Sequence, residues 1–193
     1  MDALMAAFVA ALLTQASDRT PWLTAILSTR FAQSGSGGPG AVIAGTAISL
    51  AVINTIGAIG GAIIGPRITP NAQSLLLALA LLSAGGSALV RIKQPDRLSG
   101  WRIGAFMTSL LGVAILGLGD RTQFITAALA ARSPTPALAA VGATLGALVV
   151  NVPAILAGEG ARRTLPLAAV RITIGILFLI TGAVIGFSAL RLI

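Results

Sequence analysis

The sequence predicts an all-α integral membrane protein of six transmembrane helices, arranged as two inverted three-helix repeats. Three observations carry that expectation. The chain is 56% hydrophobic and only 9% charged over 193 residues, with a mean hydropathy of +0.97. A soluble domain carries about 25% charged residues, so this chain could not cover a water-facing surface and the bilayer is its natural solvent. Apolar runs of spanning length recur along the chain, and a motif in the first half returns in the second.

A spanning helix needs about 20 apolar residues. The first segment covers roughly 3–30 and is interrupted at 15–21, where Asp18 and Arg19 sit inside "LLTQASDRTPWLT". The second, 40–64, lies between the "QSGSGGPG" loop and Gly65-Pro66-Arg67, and the third covers 72–91. The fourth covers 101–131 and is interrupted at 117–122, within "AILGLGDRTQFIT". The fifth covers 136–159 and the sixth 166–190. The first and fourth exceed the length a span requires, which fits tilted or broken helices. Residues 1–17 begin with Asp2 rather than Lys or Arg, so they are expected to belong to the first helix and not to a signal peptide.

The repeat is read by shifting the chain on itself. "DRTPWLTAILSTR", Asp18–Arg30, and "DRTQFITAALAAR", Asp120–Arg132, agree at seven of thirteen positions, charged residues included. Further on, Gly45 meets Gly142, Asn54 meets Asn151 and Gly61 meets Gly158. The chain therefore divides into a first unit, 1–92, a connecting loop, 93–100, and a second unit, 101–193. Three helices per unit is an odd number, so the second copy enters the membrane in the opposite sense, as in many secondary transporters. Arg30, Arg91, Lys93, Arg97, Arg102, Arg162 and Arg163 fall on one side, and Arg67, Arg132 and Arg191 on the other. The richer side is expected to be cytoplasmic, with both termini outside.

Composition also excludes several functions. The net charge of +8 comes from basic residues scattered between apolar runs, without a basic helix face or aromatic platform, so nucleic acid is not an expected partner. Cys and His are both absent, which removes disulfides, thiol chemistry, Ser-His and Cys-His nucleophile pairs and the usual zinc sites. No nucleophile–base constellation remains, so no enzyme is expected. Any metal would be held by oxygen, which favours hard cations.

The expected site is built from the paired motifs. A charge at bilayer depth costs about 2.5–3.5 kcal/mol on insertion scales and is seldom there without a role. Asp18 and Asp120 supply hard anionic oxygens, Thr20 and Thr122 hydroxyls, and Gln15 and Gln123 amide carbonyls. Helix breaks at Pro21 and at Gly117 and Gly119 would free backbone carbonyls as further ligands. A more modest reading pairs Asp18 with Arg121 and Asp120 with Arg19, or each Asp with its own neighbour, as a lock between helices. Asn54 and Asn151 are expected to make interhelical hydrogen bonds, and Glu159 an interfacial ion pair beside Arg162 and Arg163.

Two three-helix halves, each with a motif of the form E-x-G-D-[KR]-[TS] in its first helix, resemble the calcium/manganese cation–proton antiporter family. "LGLGDRTQFITAALAAR" followed by "GATLGALVVN" is the closer copy, and "LTQASDRTPWLTAILSTR" the looser. The resemblance implies that Asp18 and Asp120 are cation ligands, Thr20 and Thr122 their polar partners, and Arg19 and Arg121 the basic motif members. The family's acidic first position is Gln15 in one half and Gly117 in the other, and Ser17 stands for the first motif's glycine. Two aspartates and two arginines then sum to zero, where the family pattern sums to −2.

The resulting expectation is a cation/proton antiporter using a midplane site, with Mn²⁺ or Ca²⁺ as the cargo that the resemblance implies and no resident cofactor. Its partners would be the bilayer, an inorganic cation and protons, with self-association left open. A bacterial plasma membrane is the expected location. Two other readings stay open at this level: a transport-inactive scaffold, or an exporter of another small polar solute.

Overall fold

The computed structural model describes residues 1–35, 38–90, 94–160 and 167–191. Arg91, Lys93, Arg162 and Arg163 lie outside the described residues. The fold is all-helical: α1 (Asp2–Ala16), α2 (Thr20–Ser34), α3 (Pro39–Ile64), α4 (Pro70–Leu89), α5 (Gly104–Gly117), α6 (Arg121–Ala131), α7 (Pro136–Ala157) and α8 (Leu167–Ala189), with a short 3₁₀ turn at Gly65–Arg67.

Local chemistry sets these limits. Proline stands in the first turn of α2, α3, α4 and α7, where its missing N–H costs no helical hydrogen bond. Thr69 caps α4 by accepting from the Ala72 N–H at 3.3 Å. Gly35 ends α2 with φ +64°, a conformation that favours glycine.

Among the described residues, four helices are long and apolar enough to cross a membrane: α3 with its 3₁₀ turn, α4, α7 and α8. The pairs α1/α2 and α5/α6 are shorter pieces joined at 17–19 and 118–120. These are the two interrupted segments that the sequence predicts. Large apolar side chains face outward in rows: Ile48, Val52, Ile56, Ile59 and Ile63 on α3, and Ile172, Ile176, Ile180, Val184 and Phe187 on α8. A soluble monomer rarely exposes so much contiguous apolar surface, whereas lipid covers it without cost. The chain is an integral membrane protein.

The interior is lined by small residues, which lets helix backbones meet. A Cβ on Gly142 or Gly146 of α7 would collide with the carbonyls of Leu4 and Phe8 on α1, and one on Gly45 of α3 with the Phe106 carbonyl on α5. Phe106 stands 102 positions after Leu4, and Gly142 stands 97 after Gly45. Those are the offsets that align the two halves of the sequence, so one contact is the repeat image of the other. Helices α4 and α8 pair along their lengths and pack against α6 through Leu77, Leu81, Ile125, Ala128 and Phe178, with Ala10 and Leu13 of α1 against the same cluster.

Candidate functional site

The two D-R-T motifs begin the second piece of each broken helix; Asp120 is the N-cap of α6, and Asp18, one residue before the N-cap Arg19 of α2, also accepts from the first turn. Thr20 donates through Oγ1 to Asp18 Oδ2 at 2.8 Å and through its backbone N–H at 3.4 Å. Thr122 repeats this on Asp120 Oδ2, at 3.1 Å through Oγ1 and 3.3 Å through N–H. An Asp two residues before the first free N–H is well placed to satisfy it, which explains the D-x-T spacing. The Asp18 N–H donates to the Gln15 carbonyl at 3.1 Å, and the Asp120 N–H to the Gly117 carbonyl at 3.1 Å. Each break therefore brings a carbonyl-rich helix end against an N–H-rich helix start.

The motifs meet through one residue. Arg121 Nη2 donates to Asp18 Oδ1 at 2.9 Å and to the Ser17 carbonyl at 3.4 Å. Its Nε lies 3.8 Å from Asp120 Oδ1. The pair is largely withdrawn from solvent, with side-chain exposure of 13% for Arg121 and 9% for Asp18. Arg19 behaves differently: it is exposed, and among the described residues it makes no ion pair. A lock of Asp120 on Arg19 does not form. The backbone differs at the matching positions, since Gly119 takes φ +78° whereas Ser17 takes φ −104°. Only the second break uses the left-handed turn that glycine allows, and the asymmetry of the two arginines accompanies that difference.

Asp18, Arg19, Asp120 and Arg121 line a common cleft of about 550 Å³, which Ile115, Leu116 and Leu118 of the α5 end and Ser87 and Val90 at the α4 end complete. The remaining predicted residues lie behind it. Gln15 Nε2 donates to Thr122 Oγ1 at 3.2 Å, and its Oε1 accepts from Asn151 Nδ2 at 2.9 Å. Asn151 Oδ1 accepts from Thr24 Oγ1 at 3.3 Å, and the Oγ1 atoms of Thr122 and Thr14 lie 3.1 Å apart. Gln15, Thr20, Thr122 and Asn151 are all buried. Gln123 Oε1 accepts from the Gly119 N–H at 2.7 Å, and its Nε2 donates to the Ile53 carbonyl at 3.4 Å. Asn54 donates to Thr144 Oγ1 at 3.2 Å. The structure thus separates two carboxylates in the cleft from a polar network that fixes the helix breaks. Among the described residues no group of three or more acidic side chains gathers as a metal site.

Thr14 and Thr24 join this network without having been singled out in the sequence. Thr24 matches Thr126 in the repeat and could have been found that way, whereas Thr14 matches Leu116 and carries no such signal. Glu159 does form an ion pair, at 2.8 Å, and its partner is Arg97.

Lipid-facing helices around a bundle with two opposed helix breaks and paired carboxylates define a membrane transporter. The chain belongs to the divalent cation/proton antiporter GDT1 family, whose model matches residues 3–96 and 105–192. This is a transporter family and not an enzyme family. The chain is also similar to a Vibrio cholerae serotype O1 protein named "Putative manganese exporter", at 26% identity over 97% of this chain and 92% of that protein. No solved structure matches the chain significantly.

Proposed function

We propose that the protein exchanges a divalent cation, Mn²⁺ or Ca²⁺, for protons at a midplane site whose charged members are Asp18 and Asp120. The observation that carries this reading is the Arg121 guanidinium reaching both carboxylates in one cleft. Two carboxylates with one engaged guanidinium leave one negative charge, not the zero that counting both arginines gives. A divalent ion that displaces Arg121 would be neutralised by the two aspartates, whereas one that binds beside it leaves an excess charge in a low-dielectric setting. Arg121 is accordingly the built-in counter-charge that cargo must replace. Binding two protons instead of the cation would equally discharge the carboxylates, which supplies the exchange.

The reading counts six spans in two inverted repeats, with α1/α2 and α5/α6 each taken as one broken span. The paired contacts of Gly45 with Phe106 and of Gly142 with Leu4 favour it, and the broken pair in each half would place both motifs at mid-depth. The cleft runs toward the C-terminal end of α4, the side expected to be cytoplasmic, so this form would receive cargo from inside and export it. A bacterial plasma membrane with both termini outside suits that direction.

The test is metal transport in proteoliposomes holding a metal-quenched dye. Mn²⁺ entry by the wild-type chain, reduced to the background of empty vesicles in Asp18→Asn, supports the proposal. Equal entry in the two overturns it. The buried Asp18–Arg121 pair also suits a transport-silent scaffold. That reading predicts no entry in either protein and a fall in thermal stability for Asp18→Asn that cations do not alter.

A further inference from the structure

Each aspartate has one oxygen taken by its own motif. Asp18 Oδ2 accepts from the hydroxyl and N–H of Thr20, and Asp120 Oδ2 from those of Thr122. The other two oxygens face one guanidinium: Asp18 Oδ1 lies 2.9 Å from Arg121 Nη2, and Asp120 Oδ1 lies 3.8 Å from Arg121 Nε. A cation that replaces Arg121 therefore meets two carboxylates that each offer a single oxygen.

The two threonines are supported unequally. Gln15, from the first half, donates through Nε2 to Thr122 Oγ1 at 3.2 Å. The repeat image of Gln15 is Gly117, which has no side chain to give Thr20, and Ile53 Cδ1 stands 2.6 Å from where a Cβ would be. The direction of the Gln15 bonds is fixed at their far end. The Ala147 carbonyl can only accept, so the Asn151 atom 2.9 Å from it is the amide nitrogen. The same nitrogen lies 2.9 Å from Gln15, which makes that Gln15 atom the oxygen and turns its nitrogen to Thr122. Thr122 Oγ1 then accepts from Gln15 and has one hydrogen to give. Two acceptors stand 3.1 Å away, Asp120 Oδ2 and Thr14 Oγ1. A carboxylate accepts more strongly than a hydroxyl, so the hydrogen goes to Asp120.

We infer that Gln15 is a positioning residue: by committing the Thr122 hydroxyl to Asp120 Oδ2, it holds Asp120 to one free oxygen and makes the site prefer Mn²⁺ to Ca²⁺. This rests on the exchange reading above and narrows its cargo. Mn²⁺ suits an octahedral set of oxygens that water can complete, and the cleft of about 550 Å³ has room for water. Ca²⁺ takes about six to eight oxygens and gains when a carboxylate turns both of its own toward the ion.

Mn²⁺ bound to the purified protein in detergent can be measured by the loss of its free paramagnetic-resonance signal, with Ca²⁺ as competitor. Gln15→Met, close in volume, should lower the preference for Mn²⁺ about tenfold, the weight of one hydrogen bond to a charged group. Thr122→Val should lower it as much, Thr122→Ser should keep it, and Gln15→Met should add nothing to Thr122→Val. A wild type that prefers Ca²⁺, an unchanged preference in Gln15→Met, or losses that add would each overturn the inference. A second readout needs no cation: melting temperature in a double-mutant cycle of Gln15→Met with Asp120→Ala. Gln15→Met should cost less once Asp120 is gone, and additive losses overturn the inference. A wild type that binds neither ion sinks the exchange reading itself, and the cycle then decides whether Gln15 holds Asp120.

Discussion

Arg121 and Asp18 lie on opposite sides of the repeat, 103 positions apart in sequence, yet their side chains meet at 2.9 Å. Arg19, the repeat image of Arg121, remains exposed at the cleft edge. Two residues that look equivalent in sequence therefore have unequal consequences. Removing one partner of a buried ion pair costs about 3–5 kcal/mol, whereas a surface change usually costs within about 0.5 kcal/mol. Arg121→Gln should lower the melting temperature in detergent clearly, and Arg19→Gln should barely move it. Mn²⁺ should restore more stability to Arg121→Gln than it adds to wild type, because two carboxylates then lack a counter-charge. Equal melting temperatures for the two variants would contradict this.

Asn151 and Asn54 are a second unequal pair. Asn151 links Gln15, Thr24 and the Ala147 carbonyl, and it is fully buried. Among the described residues, Asn54 makes one side-chain bond, to Thr144. Asn151→Ala strands buried partners and should cost about 1–3 kcal/mol, against about 1 kcal/mol for Asn54→Ala. Thermal unfolding of both variants checks the order.

Glycines divide by what a Cβ would meet. Gly142→Ala drives a methyl into the Leu4 carbonyl and must push α1 away from α7. Gly60 has nothing within 4 Å of the same position, so Gly60→Ala should be neutral or add up to about 1 kcal/mol through helix propensity. Expression and monodispersity of the purified variants should separate them: Gly142→Ala poor, Gly60→Ala normal.

Arg30 gathers residues 97–101 of the connection between α4 and α5. Arg30 donates to the carbonyls of Leu98 at 2.6 Å and Trp101 at 2.8 Å, with longer bonds to Arg97 and Ser99. Arg97 in turn pairs with Glu159, whose N–H donates to Thr29 Oγ1 at 3.0 Å. Arg30→Ala should release this segment and speed its cleavage in limited proteolysis, while Arg132→Ala, the exposed repeat image, should not.

Much of this was legible beforehand, for physical reasons. Hydropathy with Pro and Gly punctuation located the helices to within a few residues, because the bilayer fixes their length and the breaks carry charges that lipid would reject. The repeated D-R-T brought Asp18 and Asp120 to notice together. What the sequence did not disclose is where the symmetry fails. Whether Arg19 or Arg121 turns inward depends on backbone angles at Ser17 and Gly119 and on neighbours hundreds of atoms away along the chain. The sequence reads Gln15 and Gln123 as cation ligands, but an amide serves equally well as a strut. Here both are engaged in hydrogen bonds with neighbouring helices and with the Gly119 N–H.

The central claim is that Asp18 and Asp120 jointly carry cation/proton exchange, and the most direct measurement is lumenal pH in proteoliposomes after Mn²⁺ is added outside. The account predicts a Mn²⁺-driven pH change for wild type that is lost in Asp18→Asn and equally lost in Asp120→Asn, with both variants folded. A wild-type response that survives in either single variant would contradict it.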